Sequence, residues 1–344
     1  MNIMNKYRAG FIGCGGIATA HADGYRHVEN AEIELIAGSD IHPEGEKAQH
    51  LAREHGIRLY ADHREMLERE QLDLVSVCTW PRGHCEATIA AAENGARGIL
   101  CEKPMAVSLD EADRMIGACE KAGAALAIGH AHRFSPQAVQ ARAWVQAGEI
   151  GEVAMIWGHC TLDLMNNGTH VIDLISYLNG DSPPRWVMGQ IDRRNRIEGR
   201  RNHPDMPAED MAIGRVGYEN GVVGFIELGE RASQSFSFRI IGSDGIIEVN
   251  SPDGPPLKML SSYRSDGWHV PQLEETYSNI CGELEELVSA VEGRAAHRSE
   301  AKIARVALET IMGIFESSAR RRVLDFPIDD SDFVLERMVK EGLV

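Results

Sequence analysis

Residues 7–18, YRAGFIGCGGIA, run from an apolar stretch straight into Gly13, Gly15 and Ala18 at G-x-G-x-x-A spacing. The pattern predicts a strand that empties through a tight turn into a helix. Gly13 permits the turn, Gly15 offers no Cβ to obstruct a diphosphate, and Ala18 is small enough for the helix to lie close on the sheet. The N–H groups of the first helical turn, around Gly16 and Ile17, then face the anion. Downstream, EIELIAGS at 32–39 reads as a second buried strand, ending in Asp40, whose carboxylate suits ribose hydroxyls. No Arg or Lys follows until Lys47, so a 2′-phosphate would meet Asp40 as a like charge. That favours NAD over NADP.

With 344 residues the chain is long enough for two domains, each with its own core. Thirty-five Lys and Arg against 52 Asp and Glu give a formal charge of −17. The averaged field repels nucleic-acid phosphates and anionic membrane surfaces, so neither is an expected partner. The start, MNIMNKYRAG, has no secretory apolar region, and no run approaches bilayer-spanning length, which makes the cytoplasm the expected location. The 7 cysteines are scattered without C-x-x-C spacing, which argues against a disulfide scaffold.

The first third alternates short strands with helical stretches, the pattern of parallel strands joined by right-handed crossovers. Strands are expected at 7–13, 32–39, 57–60, 72–79, 97–102 and 124–130, with helices at 43–55, 84–94 and 108–122. Ser108 and Glu111 form a capping box for the last helix. After about residue 131 a helix at 136–147 precedes longer alternating strands at 152–161, 185–193, 210–218, 222–230, 234–242 and 245–249. Asn220-Gly221 and Asp244-Gly245 are hairpin turns in that series. Helices are expected at 169–179, 279–292 and 299–320. The fold class is therefore α/β: a doubly wound Rossmann domain over 1–130, then an α+β domain over 131–344 with a large, mainly antiparallel open sheet. The charged stretch 194–208 reads as a loop, either near a ligand or solvated without function.

Two strand ends carry the chemistry. DLVSVCT, residues 73–79, ends in Thr79-Trp80-Pro81 at the carboxyl edge, where open α/β sheets bind ligands, and Glu102-Lys103-Pro104 ends the next strand. Lys103 there puts an ammonium beside the nicotinamide, able to donate a hydrogen bond to a substrate oxygen or relay its proton. These motifs together resemble the Gfo/Idh/MocA family, named for glucose–fructose oxidoreductase, inositol dehydrogenase and a rhizopine-catabolism protein. The resemblance rests on Gly13-x-Gly15-x-x-Ala18, Asp40, Thr79-x-Pro81 with His84, and Glu102-Lys103-Pro104. It continues through Gly129-His130-Ala131-His132-Arg133-Phe134-Ser135-Pro136, Gly168-x-His170-x-x-Asp173 and Glu209-Asp210. It implies that Gly13, Gly15, Gly16, Ile17, Ala18, Asp40, Thr79, Trp80, Pro81, His84, Glu102 and Lys103 hold the cofactor. It also implies that the C-terminal sheet walls the substrate site and joins subunits into a dimer or tetramer.

The second catalytic element is NNGTHVIDLISY at 166–177. A helix beginning near Gly168 puts His170 and Asp173 at i, i+3 on one face, so that Asp173 can orient the imidazole as a general base. Where the family typically carries Asp, four residues before this histidine, the chain has Asn166, which cannot relay a proton or hold charge against Lys103. Asp163 is an alternative carboxylate. Lys103, His132, Arg133, His159, Asn166 and His170 make the expected substrate set, with Arg133 either at a family position near cofactor and substrate or in a surface salt bridge. His130 and His132, alternating on one strand, and the later His159 and His203 invite a metal, but nothing is spaced to complete a tetrahedral set, and none is expected. Trp157 and Trp268 could stack on a sugar face or belong to the core or an interface, and Arg201 could offset the negative field. The reading is an NAD-dependent dehydrogenase of a sugar, inositol, polyol or glycoside. A glycoside-cleaving enzyme that retains NAD, and a nucleotide-sensing regulator with a vestigial site, are the alternatives.

Overall fold

The computed structural model describes residues 5–194, 206–229, 236–329 and 332–344. Most of the 194–208 stretch, with Arg201 and His203, lies outside them. The described chain divides into two compact units, residues 1–134 with Thr276–Arg305, and Ser135–Glu275 with Val306–Val344.

The first unit holds β1 (Lys6–Ile12), β2 (Glu32–Ser39), β3 (Arg58–Tyr60), β4 (Leu74–Val77), β5 (Gly98–Cys101) and β6 (Ala125–Ile128). They pair in parallel in the order β3-β2-β1-β4-β5-β6, a doubly wound sheet whose order reverses between β1 and β4. The expected strands are all present: β2 has the expected bounds, β1 lies one residue earlier, and β3 to β6 are shorter than expected. The connecting helices are α1 (Gly16–Arg26), α2 (Glu46–His55), α3 (His63–Glu70), α4 (Pro81–Glu93) and α5 (Leu109–Ala122). The α3 helix was not expected. Its sequence, HREMLERE, is polar apart from Met66 and Leu67, and its start depends on Asp62 accepting from the Arg64 amide at 2.7 Å. At α5 the Ser108 hydroxyl accepts from the Glu111 amide, as the capping box requires, while the Glu111 carboxylate takes the Val107 amide.

The expected continuous second domain over 131–344 needs correction. The helix α8 (Asn279–Val291) belongs to the first unit: Cys281, Leu284, Leu287 and Val288 share one buried cluster with Tyr7, Phe11, Tyr25, Leu74 and Leu100. Burying that apolar face completes the core on its side of the sheet.

The second unit is built on an eight-stranded sheet, in the order β13-β12-β11-β7-β10-β9-β8-β14. Its strands are β7 (Val153–Cys160), β8 (Pro184–Asp192), β9 (Met211–Tyr218), β10 (Val223–Gly229), β11 (Ser237–Gly242), β12 (Gly245–Val249), β13 (Leu257–Ser261) and β14 (Leu324–Asp325). Only β7 and β10 pair in parallel, and both expected hairpin turns are present between antiparallel partners. The strands β13 and β14 add edges that the sequence did not announce. A Cβ on Gly158 would strike Val171 of α7 (Thr169–Leu178), and one on Gly189 would strike Ile314 of α9 (Ala301–Arg320). Helices thus cover one face of the sheet, joined in this unit by α6 (Pro136–Gln146) and α10 (Val334–Lys340). The opposite face presents Trp157, Met188, Met211 and Ile213, each 40–46% exposed, with Met155 and Phe225 beside them. No described helix is long and apolar enough to cross a membrane.

Candidate active site

In the first unit the chain leaves β1 through Gly13 at φ +89°. A Cβ there would stand 2.7 Å from the Cys78 carbonyl and 2.8 Å from the Thr79 nitrogen, so the turn needs glycine for its dihedral and for its approach to the end of β4. The Gly13 amide donates to the Ser39 carbonyl at 2.7 Å, which ties the turn to the end of β2 as well. Beyond it, Gly15 caps α1 without a side-chain hydrogen bond, and a Cβ on Gly15 or Gly16 would meet nothing within 4 Å. Open space therefore lies before the α1 amides while Ala18, fully buried, holds the helix against the sheet. That combination fits a diphosphate. At the end of β2 the Asp40 carboxylate accepts from the Cys14 amide at 2.8 Å and the His42 amide at 2.9 Å. It fastens the glycine turn and retains lone pairs for a ribose.

A buried polar chain supports the Glu-Lys-Pro segment. Ser76 meets the Tyr25 hydroxyl at 3.1 Å and His21 Nδ1 at 3.0 Å, and His21 Nε2 meets the Glu102 carboxylate at 3.1 Å. The other Glu102 oxygen accepts the Lys103 amide at 3.1 Å. Burial pushes the Glu102 pKa up, but the His21 hydrogen bond and charge, with Lys103, outweigh it and hold the carboxyl below its ordinary value. Glu102 is thus an anion that positions the backbone of half-buried Lys103. Sequence reasoning passed over His21, although it follows Ala18 by one helical turn and so shares its sheet-facing side.

His84 is fully buried, with Nδ1 2.8 Å from the Pro104 carbonyl and Nε2 3.0 Å from the Thr79 carbonyl. Burial lowers its pKa against the pull of both carbonyls. It braces the two strand ends from beneath, whereas Trp80 at the start of α4 is half exposed and Ile17 about a third. Pro81 opens α4, and the Thr79 hydroxyl donates to the Trp80 carbonyl at 3.2 Å. The strand expected to carry His130 and His132 stops at Ile128, and Ala131–Phe134 is a 3-10 turn, so the two histidines do not share a strand face. Arg133 is no surface residue: it is fully buried and donates to the Arg298 carbonyl at 2.9 Å.

In the second unit a π-helical turn, Leu164–Gly168, leads directly into α7. Its cap is Asp163, whose carboxylate accepts the Asn166 amide at 3.0 Å, while the Gly168 amide closes the wide turn on the Asp163 carbonyl. Glu209 fixes the entrance by accepting the Leu164 amide at 2.6 Å. Asp163, Asn166, His170, Asp173 and Glu209 are all buried in this one region, and His170 meets the Phe236 ring edge-on at 5.7 Å. Sequence reasoning named Asp163 and Glu209 but not their capping roles, which the D-x-x-N spacing could have signalled. His159 is not brought to His170. It stands beside Trp157, 6.2 Å between ring centroids, on the sheet face opposite α7.

The sequence matches the description "Oxidoreductase family, NAD-binding Rossmann fold" over residues 7–130 and "Oxidoreductase family, C-terminal alpha/beta domain" over 163–326. It is 26% identical over 281 residues to a D-apiose dehydrogenase of Paraburkholderia graminis, covering 76% of this chain and 69% of that one. With the NAD(+)-dependent scyllo-inositol 2-dehydrogenase of Bacillus subtilis it shares 25% over 312 residues, 83% and 86% of the two chains. Among solved structures, a levoglucosan dehydrogenase in complex with NADH and levoglucosan superposes with a TM-score of 0.83 at 22% identity, over 94% of this chain and 100% of that one. That likeness is one of fold.

Proposed function

The chain belongs to the Gfo/Idh/MocA oxidoreductase family, and from that membership we propose that it is an NAD-dependent dehydrogenase of a secondary alcohol in a sugar, inositol or related polyol. The observation that carries the reading is the glycine turn, open in front of the α1 amides and fastened to Asp40. NAD, when bound there, accepts the hydride.

The work of this chain's own residues is to bind the alcohol and take its proton. Lys103, held by Glu102 through its backbone, donates a hydrogen bond from Nζ to the alcohol oxygen and stabilises the charge that grows there. His170 takes the hydroxyl proton on one ring nitrogen, with Asp173, one helical turn on, as the orienting carboxylate. Asn166 donates to or accepts from a substrate hydroxyl and carries no charge. His132 lines the substrate, and Arg133 and His84 act through the backbone segments they hold. His159 is left out because it shares a sheet face with Trp157.

The exposed apolar face with Trp157, Met188, Met211 and Ile213 supports a homo-oligomer, dimer or tetramer, joined through the second sheet. Seven free, buried cysteines suit a reducing compartment, which supports the cytoplasmic reading.

The test is a panel of sugars, inositols and glycosides followed by NADH absorbance, with NAD and NADP in parallel. Turnover with NAD that vanishes in Lys103→Met and His170→Asn, both still binding NAD, is the expected result. Turnover unchanged in both variants, or a clear preference for NADP, overturns the assignment.

A further inference from the structure

A second polar cluster in the first unit has no part in this chemistry. Asp23 lies in the last turns of α1, about 10 Å along the axis from Gly16, and Glu54 and His55 end α2. One ligand atom from each lies within 4.8 Å of the others. The imidazole is the informative member: the His55 side chain is 0% exposed, and neither of its ring nitrogens has a hydrogen-bond partner. A buried, unpartnered imidazole is costly, and here it is aimed at two carboxylates. We propose that Asp23, Glu54 and His55 form a site for one divalent transition-metal cation of the zinc class, clipping the C-terminal ends of α1 and α2 together.

The chemistry of the set suits that ion. One neutral imidazole and two carboxylates leave a fourth position for water, the donor pattern of three-ligand zinc sites. Burial first, then the nearby Arg26 charge, lowers the His55 pKa, so the ring is in its neutral, ligating form near pH 7. Tetrahedral ligands bonded at about 2.0–2.1 Å stand about 3.3 Å apart. His55 Nε2 and Glu54 Oε2 are already 3.9 Å apart, and a small rotation of the exposed Glu54 side chain closes the difference. The three ligands also lie in or near the C-terminal turns of α1 and α2, the negative ends of the helix dipoles. Two groups compete. His50 Nε2 lies 3.1 Å from Glu54 Oε2, and Arg26, which donates to the Glu54 carbonyl at 3.1 Å, cancels one of the two carboxylate charges.

The full chain, stripped with a chelator, is titrated with Zn2+ by calorimetry and by competition with a chromogenic chelator. One equivalent should bind in the micromolar range or tighter and raise the unfolding temperature by several degrees. Asp23→Asn and His55→Gln should each weaken binding by at least about 100-fold, with NAD affinity unchanged. If His55→Gln fails to fold, Asp23→Asn, on a partly exposed helix face, decides alone. Absence of stoichiometric binding in the wild type overturns the proposal, as does binding that survives Asp23→Asn, since the metal then rests on other histidines.

Discussion

Alanine at the first and second glycines of the turn should fail in different ways. At Gly13 the added Cβ meets backbone at 2.7–2.8 Å, and φ is +89°. The dihedral costs an L-residue roughly 1–2 kcal/mol, and overpacking against atoms that cannot rotate away adds about 1–3 kcal/mol. Together these amount to roughly 2–5 kcal/mol of a total stability on the order of 5–15 kcal/mol. At Gly15 the backbone is extended and the Cβ meets nothing within 4 Å, so Gly15→Ala should stay within about 0.5 kcal/mol of the wild type. The methyl instead occupies space that a diphosphate needs. A clash worth about 1–3 kcal/mol weakens NAD binding by roughly 5- to 150-fold. Urea unfolding reads the first quantity, and calorimetric NAD titration reads the second. If Gly15→Ala binds NAD like the wild type, or unfolds as early as Gly13→Ala, the reading of the turn is wrong.

Three further outcomes follow from other sites. His297 is buried, accepts the Ser299 amide on Nδ1 and faces the Glu283 carbonyl with Nε2, and burial pushes its pKa down to about 4. The unfolded chain therefore takes that proton first. Its stabilising contribution, about 3 kcal/mol, is full above pH 6.5 and drains away as pH falls toward 4. Urea unfolding across that range should show the slope, and His297→Asn should flatten it. The Glu102 pKa is depressed, so its contribution is present above the ordinary value of 4.5 and lost as pH falls further. Glu102→Gln should flatten only that acid limb in the same assay, and an unchanged limb would count against the His21–Glu102 pair. Trp157→Asp with Ile213→Asp, on one sheet face, should convert the proposed oligomer to monomers by light scattering with the circular dichroism spectrum retained; an unchanged mass would place the subunit contact elsewhere.

Local pattern carried much of this protein. Short apolar runs bounded by Gly and Pro gave the six parallel strands to within a few residues, because a strand covered on both faces needs little but apolar residues. The positions of Asp40, Lys103 and His170 in the fold were legible for a related reason: each sits at a fixed short offset from a strand end or helix start, where chain geometry alone sets its position. Elements lacking such a signature were invisible. The α3 helix rests on an Asp62 cap with two apolar residues, and β13 exists because β12 offers it an edge.

The sequence by itself determined the doubly wound sheet, its glycine turn and the carboxylate that follows, since apolar runs, turn residues and right-handed crossovers specify them. Only the tertiary structure decided which polar groups are interior and where the chain returns. Arg133 is buried against Arg298, Tyr25 reaches Glu102 through Ser76 and His21, and α8 completes the first core. Periodicity reports that a face must be buried, but not against what. The partners that settle burial and protonation lie far along the chain, and they meet only once packing has been chosen.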